Sequence, residues 1–161
     1  MHATHPTMNR TSISIVFLLL LLRFPVCAQT GGAAVPVKTV RVELTATAGP
    51  VAQRAAQILA REIIERGGVK IVTGDEAGLT IKLGVRPGIG AEGFSICGGV
   101  SNEVMITGND ENGLLYGVGK FLRSSAYGQG DLTPAPWRGT SVPKGTFRGI
   151  YFATHFNNWY E

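Results

Sequence analysis

Glu111-Asn112-Gly113-Leu114-Leu115-Tyr116-Gly117-Val118-Gly119-Lys120-Phe121-Leu122-Arg123 is the stretch that decides the fold of this chain. It predicts an amphipathic helix, because apolar side chains recur three or four residues apart along one side. Asn109 or Asp110, directly before it, is suited to cap its first turn. Its three glycines lower the intrinsic helix propensity, and we expect them to let the helix approach a sheet closely. The apolar face consists of Leu114, Val118, Phe121 and Leu122.

Upstream of this stretch, a strand pattern precedes another helix. Residues 40–44 alternate between apolar and polar side chains, which is the period of a half-buried strand. Gly49-Pro50 then opens a helix, with proline at its favoured first position, and Gly67-Gly68 ends it through a left-handed cap. The core stripe of this helix consists of Ala55, Ile58, Leu59 and Ile63.

Between the two helices, the sequence predicts further strands. A short strand covers Val69–Thr73 and an alternating strand covers Leu79–Val85, while Gly93–Ile96 and Glu103–Thr107 form a hairpin. We expect an α+β fold over residues 37–126: a two-layer domain with a mixed, mostly antiparallel sheet, covered on one face by two helices.

The N-terminus has the layout of a secretory signal peptide over residues 1–28. Arg10 supplies positive charge, Ile13–Leu22 is mostly apolar, and Val26-Cys27-Ala28 presents small residues before a cut near Ala28. The alternative is a membrane-spanning helix, but the apolar run is about half of the ~20 residues that spanning needs. We therefore expect a secreted or periplasmic protein with no stable membrane span, and a flexible lead-in over residues 29–36.

Charge and cysteine content argue against two classes of function. The chain has 15 Lys and Arg against 11 Asp and Glu, without a basic cluster. Nucleic-acid binding needs such a patch, so no nucleic-acid partner is expected. Cleavage near Ala28 leaves Cys97 as the last cysteine, so we expect neither an internal disulfide nor a cysteine metal cluster.

Two motifs that could carry chemistry have structural interpretations. Gly88–Gly93 matches the dinucleotide pattern G-x-G-x-x-G, but Phe94-Ser95-Ile96 after it predicts a strand instead of the required helix. Asp75-Glu76 and Asp110-Glu111 could supply paired-carboxylate chemistry, yet both pairs fall in polar turns, where solvated or capping roles are expected. We predict no catalytic residue, no metal ligand and no cofactor within this chain.

The C-terminal part predicts a linker and then the start of a larger domain. Residues 127–144 are rich in Gly and Pro, which is typical of a linker. Phe147–Ala153 predicts a buried strand, and the aromatic-rich residues 155–161 follow it without a closing cap. We interpret residues 145–161 as the first element of a domain truncated at Glu161.

The helix quoted above resembles the closing helix of the non-catalytic α/β domain of family 20 glycoside hydrolases, the β-N-acetylhexosaminidases. That helix typically has Gly-Leu-x-Tyr-Gly-Val before a Leu-rich turn. Phe147-Arg148-Gly149-Ile150 is similar to the Arg-Gly segment that opens the first barrel strand in that family. Related domains precede the barrels of α-glucuronidases and of family 84 hexosaminidases. The resemblance implies that residues 145–161 begin a truncated (β/α)8 barrel.

The segment after Arg148 departs from family 20. That family usually has an Asp and an Arg-His pair after the Arg-Gly strand, where this chain has Ala153-Thr154-His155-Phe156. Asn157-Asn158-Trp159 is instead similar to the α-glucuronidases. The resemblance therefore implies the class of domain, without hexosaminidase specificity.

Three residues in this segment are candidates for substrate binding. The resemblance implies that Arg148 contacts sugar hydroxyls, and a structural bridge between domains is the alternative. His155 is a candidate for lining a sugar pocket or for a structural role. Trp159 is a candidate for stacking on a sugar ring or for ordinary core packing.

The expected function follows from the resemblance. We expect the accessory N-terminal domain of a secreted glycoside hydrolase acting on polysaccharide or glycan, with the catalytic carboxylates outside this chain. Its partners would be the catalytic barrel of the same protein and a glycan or oligosaccharide substrate. The alternative is a stand-alone carbohydrate-binding or structural module without catalysis.

Overall fold

The computed structural model describes residues 35–45, 48–98 and 102–145. Two helices, α1 (Pro50–Gly67) and α2 (Glu111–Ser124), pack against a six-stranded sheet. The strands are, in chain order, β1 (Thr39–Leu44), β2 (Lys70–Ile71), β3 (Leu79–Val85), β4 (Phe94–Gly98), β5 (Glu103–Gly108), β6 (Ala126–Tyr127), β7 (Leu132–Thr133) and β8 (Gly139–Ser141). The large sheet has the order β2-β1-β3-β5-β4-β8, and β6 pairs with β7 separately.

The core lies between one face of the sheet and both helices. Strand register places Ile81 beside Val104 and Leu83 beside Ile106, so alternate apolar side chains form a continuous surface. These side chains belong to the same buried cluster as the inward-facing residues of both helices. Burial on one face only explains the alternating pattern in the sequence. The helical members of the cluster include Ala55, Leu59 and Ile63 of α1 and Leu114, Val118 and Phe121 of α2.

The predicted fold class is confirmed: a mixed sheet and two helices form an α+β fold. The balance of strand directions differs from the expectation. Within the six-stranded sheet, the pairs β1–β2, β1–β3 and β3–β5 are parallel, and the pairs β4–β5 and β4–β8 are antiparallel. Helix α1 connects β1 to its neighbours as a crossover, which makes those strands parallel. Strand β5 lies between β3 and β4, so the hairpin leaves β3 and β5 parallel.

Helix α1 begins and ends where the sequence predicts. Pro50 occupies its first turn, and Gly68 adopts a left-handed conformation with a φ of 63°. The Gly68 N–H donates to Ile64 O at 2.8 Å, which satisfies one carbonyl of the last turn. The strand predicted over 69–73 is shorter, since only Lys70–Ile71 pairs with β1.

The segment predicted as a linker, residues 127–144, belongs to the folded unit in the structure. Leu132 is fully buried and bonds to Val37 through both backbone groups, at 2.8 and 2.9 Å. Strand β8 pairs with β4 and forms one edge of the large sheet. The prediction missed these elements because strands of two or three residues are too short to show a period of two.

Helix α2 packs directly against β4 and β5, and its glycines make this approach possible. A Cβ at Gly117 would lie 2.7 Å from Ile106 Cγ2 and 3.2 Å from Phe94 Cβ. A Cβ at Gly113 would overlap the carbonyl oxygen of Gly93. A methyl group has no room at either position, so this contact between α2 and the sheet (the α2 seam) requires glycine.

The packing at the α2 seam predicts that alanine substitution at two glycines of the same helix changes the stability of the fold in opposite directions. Gly117→Ala is expected to destabilise the fold by about 1–3 kcal/mol through overpacking. Gly119→Ala is the matched control, because its Cβ would meet only the flexible end of Arg123 at 3.1 Å. Alanine there is expected to stabilise by up to about 1 kcal/mol through helix propensity. Urea unfolding measures the free energy of unfolding of both variants. Equal changes in the two would contradict the close packing at the α2 seam.

Candidate functional site

The N-terminus of α2 lies against the loop between β3 and β4, and Asn109 holds that loop in place by hydrogen bonds. Its Oδ1 accepts hydrogen bonds from the backbone N–H groups of Gly88, Ile89 and Gly90, each at 3.0 Å. Gly88 and Gly90 have φ values of 118° and 114°, which favour glycine strongly. The loop therefore folds around one amide oxygen, with three donors converging on it.

Asp110 ties the same loop to the helix. Its Oδ1 accepts the Gly113 N–H at 2.8 Å as the N-cap of α2, and its Oδ2 accepts the Glu92 N–H at 2.7 Å. Asn109 Nδ2 also donates to Asp110 Oδ2, at 3.2 Å. The capping role that the sequence predicts for this pair of residues is confirmed, and it falls to Asp110.

Glu111 extends this group of contacts to the first helix. Gly49, the N-cap of α1, makes no side-chain cap. Glu111 Oε2 instead accepts the Val51 N–H at 3.0 Å, and a Cβ on Gly49 would overlap the Glu111 carboxylate. A carboxylate at a helix N-terminus also interacts favourably with the helix dipole. We call residues 109–111, with the loop 88–93 and the first turn of α1, the α2 junction.

The geometry of the α2 junction rules out dinucleotide binding by the G-x-G-x-x-G motif. Its last glycine, Gly93, leads into β4 and not into a helix. The N–H groups of Gly88, Ile89 and Gly90 already donate to Asn109. The segment is a loop, but it is not a hairpin loop, because β5 lies between the two strands, β3 and β4, that it joins.

The two carboxylate pairs have structural or solvated positions. Asp75 is fully exposed and bonds to Arg41 at 2.8 Å, while Asp110 and Glu111 cap helices. Among the residues that the structure describes, no group of three or more His, Cys, Asp or Glu side chains could hold a metal ion. Cys97 is disulfide-bonded in this chain, whereas the expectation that it forms no disulfide applies to a chain cleaved near Ala28 and stays a prediction.

Trp137 anchors the segment between β7 and β8 to the sheet. Its ring lies 6.1 Å from the Phe94 ring, and Lys120 Nζ lies 5.2 Å from its centroid, within cation–π range. Arg138 Nη1 donates to the carbonyl oxygens of Ala135 and Trp137 at 2.6 and 2.9 Å. Burial lowers the pKa of the Arg138 guanidinium, which stays charged at neutral pH.

Val142 continues this anchor along the α2 junction. A Cβ on Gly90 would lie 3.0 Å from Val142 Cγ1, and one on Gly93 would lie 3.1 Å from Val142 Cγ2. The side chain therefore rests on the loop that Asn109 holds. Neither Val142 nor Trp137 is predicted as a functional residue by its sequence pattern, and a lone tryptophan among Gly and Pro residues is the available signal.

The three predicted substrate-binding residues, Arg148, His155 and Trp159, lie outside the described residues. Their roles stay predictions. Within residues 35–45, 48–98 and 102–145, no helix is long and apolar enough to cross a membrane.

No family model matches the chain, and no curated protein matches it either. Among solved structures, it is similar to a GH138 enzyme targeting pectin rhamnogalacturonan II, with 21% identity over 53% of this chain and 13% of that one, at a TM-score of 0.46. It is also similar to the Flavobacterium johnsoniae chitobiase, with 18% identity over 62% of this chain and 17% of that one, at a TM-score of 0.44.

A third similar structure is the GH20 β-N-acetylhexosaminidase of Streptomyces coelicolor, with 21% identity over 63% of this chain and 21% of that one, at a TM-score of 0.44. All three neighbours are glycoside hydrolases. The chain spans between 13% and 21% of their length.

The α2 junction predicts a large difference between two neighbouring asparagines. Asn109→Ala removes the acceptor of three backbone N–H groups and is expected to destabilise the fold by about 1–3 kcal/mol. Asn112→Ala, at an exposed position in the first turn of α2, is the control and is expected to stay within about 0.5 kcal/mol of the parent. Amide hydrogen exchange at residues 88–90 should accelerate only in Asn109→Ala, and unchanged exchange there would contradict the assignment.

Proposed function

We propose that this chain is the accessory α/β domain that precedes the catalytic barrel of a secreted glycoside hydrolase. The observation that carries the proposal is the Gly-Leu-x-Tyr-Gly-Val pattern of α2, at residues 113–118. Its two glycines, Gly113 and Gly117, are the ones that the α2 seam requires. The pattern on which the resemblance rests therefore has a structural cause in this chain and is not a chance of composition.

The positions of the carboxylates support an accessory role. Glycoside hydrolysis typically needs two carboxyl groups that flank the scissile bond. Asp110 and Glu111 cap helices, and Asp75 projects into solvent beside Arg41. In the proposed protein, the catalytic carboxylates belong to the barrel that follows residue 161.

The packing of residues 137–142 supports a domain that positions the one after it. Trp137 packs on Phe94, β8 pairs with β4, and Val142 rests on the loop 88–93. A chain that is held to within a few residues of Arg148 restricts where the following strand begins. In this proposal, the domain orients the first barrel strand, and secretion follows from the predicted signal peptide over residues 1–28.

The alternative, a stand-alone carbohydrate-binding module, receives no support from Phe94, Phe121 or Trp137, whereas Tyr116 is 40% exposed. Sugar binding by stacking needs an open aromatic face. Phe94 and Phe121 are buried, and Lys120 lies over the ring of Trp137. Binding of polysaccharide by purified residues 29–161, lost in Trp137→Ala, would favour the alternative over the proposal.

In the proposed enzyme, Arg148 contacts sugar hydroxyls, with His155 and Trp159 lining the same pocket. A guanidinium presents five donors in a fixed fork, which suits two adjacent hydroxyls. A single ammonium cannot reproduce this geometry. The competing role for Arg148 is a structural bridge between the two domains.

Substitution of Arg148 in the full-length protein is expected to distinguish these two roles. Arg148→Lys should lower kcat/KM by an amount equivalent to about 1–3 kcal/mol, the range for hydrogen bonds to charged groups, with little change in Tm. The matched control is Arg138→Lys, because Arg138 bonds to the backbone of its own segment. It should lower Tm and leave the kinetics close to normal. Normal kinetics with a lower Tm in Arg148→Lys would refute the sugar contact.

A further inference from the structure

The first turn of α2 contains the dipeptide Asn112-Gly113, and Asn112 is exposed. In an Asn-Gly pair, the glycine has no side chain to hinder attack of its amide nitrogen on the asparagine carboxamide. Such a pair deamidates spontaneously when its backbone is free to bring the nitrogen and the carboxamide carbon together. The dipeptide is therefore chemically reactive unless the fold restrains it.

Three features of the structure restrain Gly113. Its N–H donates to Asp110 Oδ1 at 2.8 Å, and its Cα packs against the carbonyl of Gly93 so closely that a Cβ would overlap it. Both residues of the pair also have helical backbone conformations. The helical backbone must open locally before the Gly113 nitrogen can reach the Asn112 carboxamide carbon.

We propose that Asn112 is a latent deamidation site that the Asp110 cap protects in the folded domain and that unfolding exposes. In the reaction, Gly113 N bonds to Asn112 Cγ, the Cγ–Nδ2 bond breaks, and ammonia leaves with the displaced proton. Water then opens the cyclic imide at either carbonyl carbon. The products are aspartate or isoaspartate at position 112, and no oxidant or reductant takes part.

The isoaspartate product would prevent the α2 seam from forming again. It inserts one extra backbone carbon between residues 112 and 113. Gly113 would then leave both Asp110 Oδ1 and the narrow gap beside Gly93. A chain that stays unfolded long enough would lose the ability to refold, so the refolding yield would fall with the time that the protein spends unfolded.

Peptide mass spectrometry of the purified chain, incubated natively or in urea, tests the proposal. The native chain is expected to deamidate at residue 112 at least about tenfold more slowly than the urea-unfolded chain. In native buffer, Asp110→Ala should deamidate about tenfold faster than the parent, which corresponds to about 1.4 kcal/mol in the local opening equilibrium. Asn112→Gln assigns the mass change to this residue, and it should keep its refolding yield after ageing in urea.

The matched control is Ser125→Ala, which removes a hydrogen bond to Phe121 O at the other end of α2. Its deamidation rate should stay near that of the parent. Equal rates in the native and urea-unfolded parent would overturn protection by the fold, even if Asp110→Ala does not fold. A rate in Asp110→Ala no higher than in Ser125→Ala would overturn protection by the cap.

Discussion

The close approach of α2 to β4 and β5 is the constraint on which the rest of the domain depends. Only glycine fits at residues 113 and 117, so the helix lies directly on the sheet and its first turn reaches the loop 88–93. This proximity lets Asp110 bond to both the helix and the loop. It also brings Glu111 to the N-terminus of α1. One seam thus determines the positions of both helices and of the loop that supports Val142.

Much of the fold could be predicted from local patterns. The alternation in β1 and β3, the apolar stripes of both helices, and the terminal Pro50 and Gly68 depend on neighbouring residues and were predicted correctly. Strand order was not predictable in this way, because the insertion of β5 between β3 and β4 is a long-range arrangement. The short strands after α2 were missed because burial of Leu132 depends on its contact with Val37, far away in the chain.

At the candidate site, too, local features could be predicted from the sequence and long-range contacts could not. The sequence alone excluded a dinucleotide loop, because the element after Gly93 is a strand. It could not show that Asn109 accepts three backbone hydrogen bonds, because those donors lie about twenty residues away in sequence. On the helix-free face of the sheet, Arg41 pairs with Glu43, and Lys82 pairs with Glu103. The hydrogen bond to Glu103 raises the pKa of Lys82, and in both pairs the basic group lies beside an acidic one.

In this domain, the α2 seam positions both helices, and residues 137–142 pack against β4 and the loop 88–93. The most direct test of its proposed place in a larger enzyme is the coding sequence immediately downstream of Glu161. The account predicts an open reading frame that continues with alternating strands and helices and includes a pair of acidic residues suited to glycoside hydrolysis. A stop codon directly after Glu161, together with a stably folded secreted product, would contradict it.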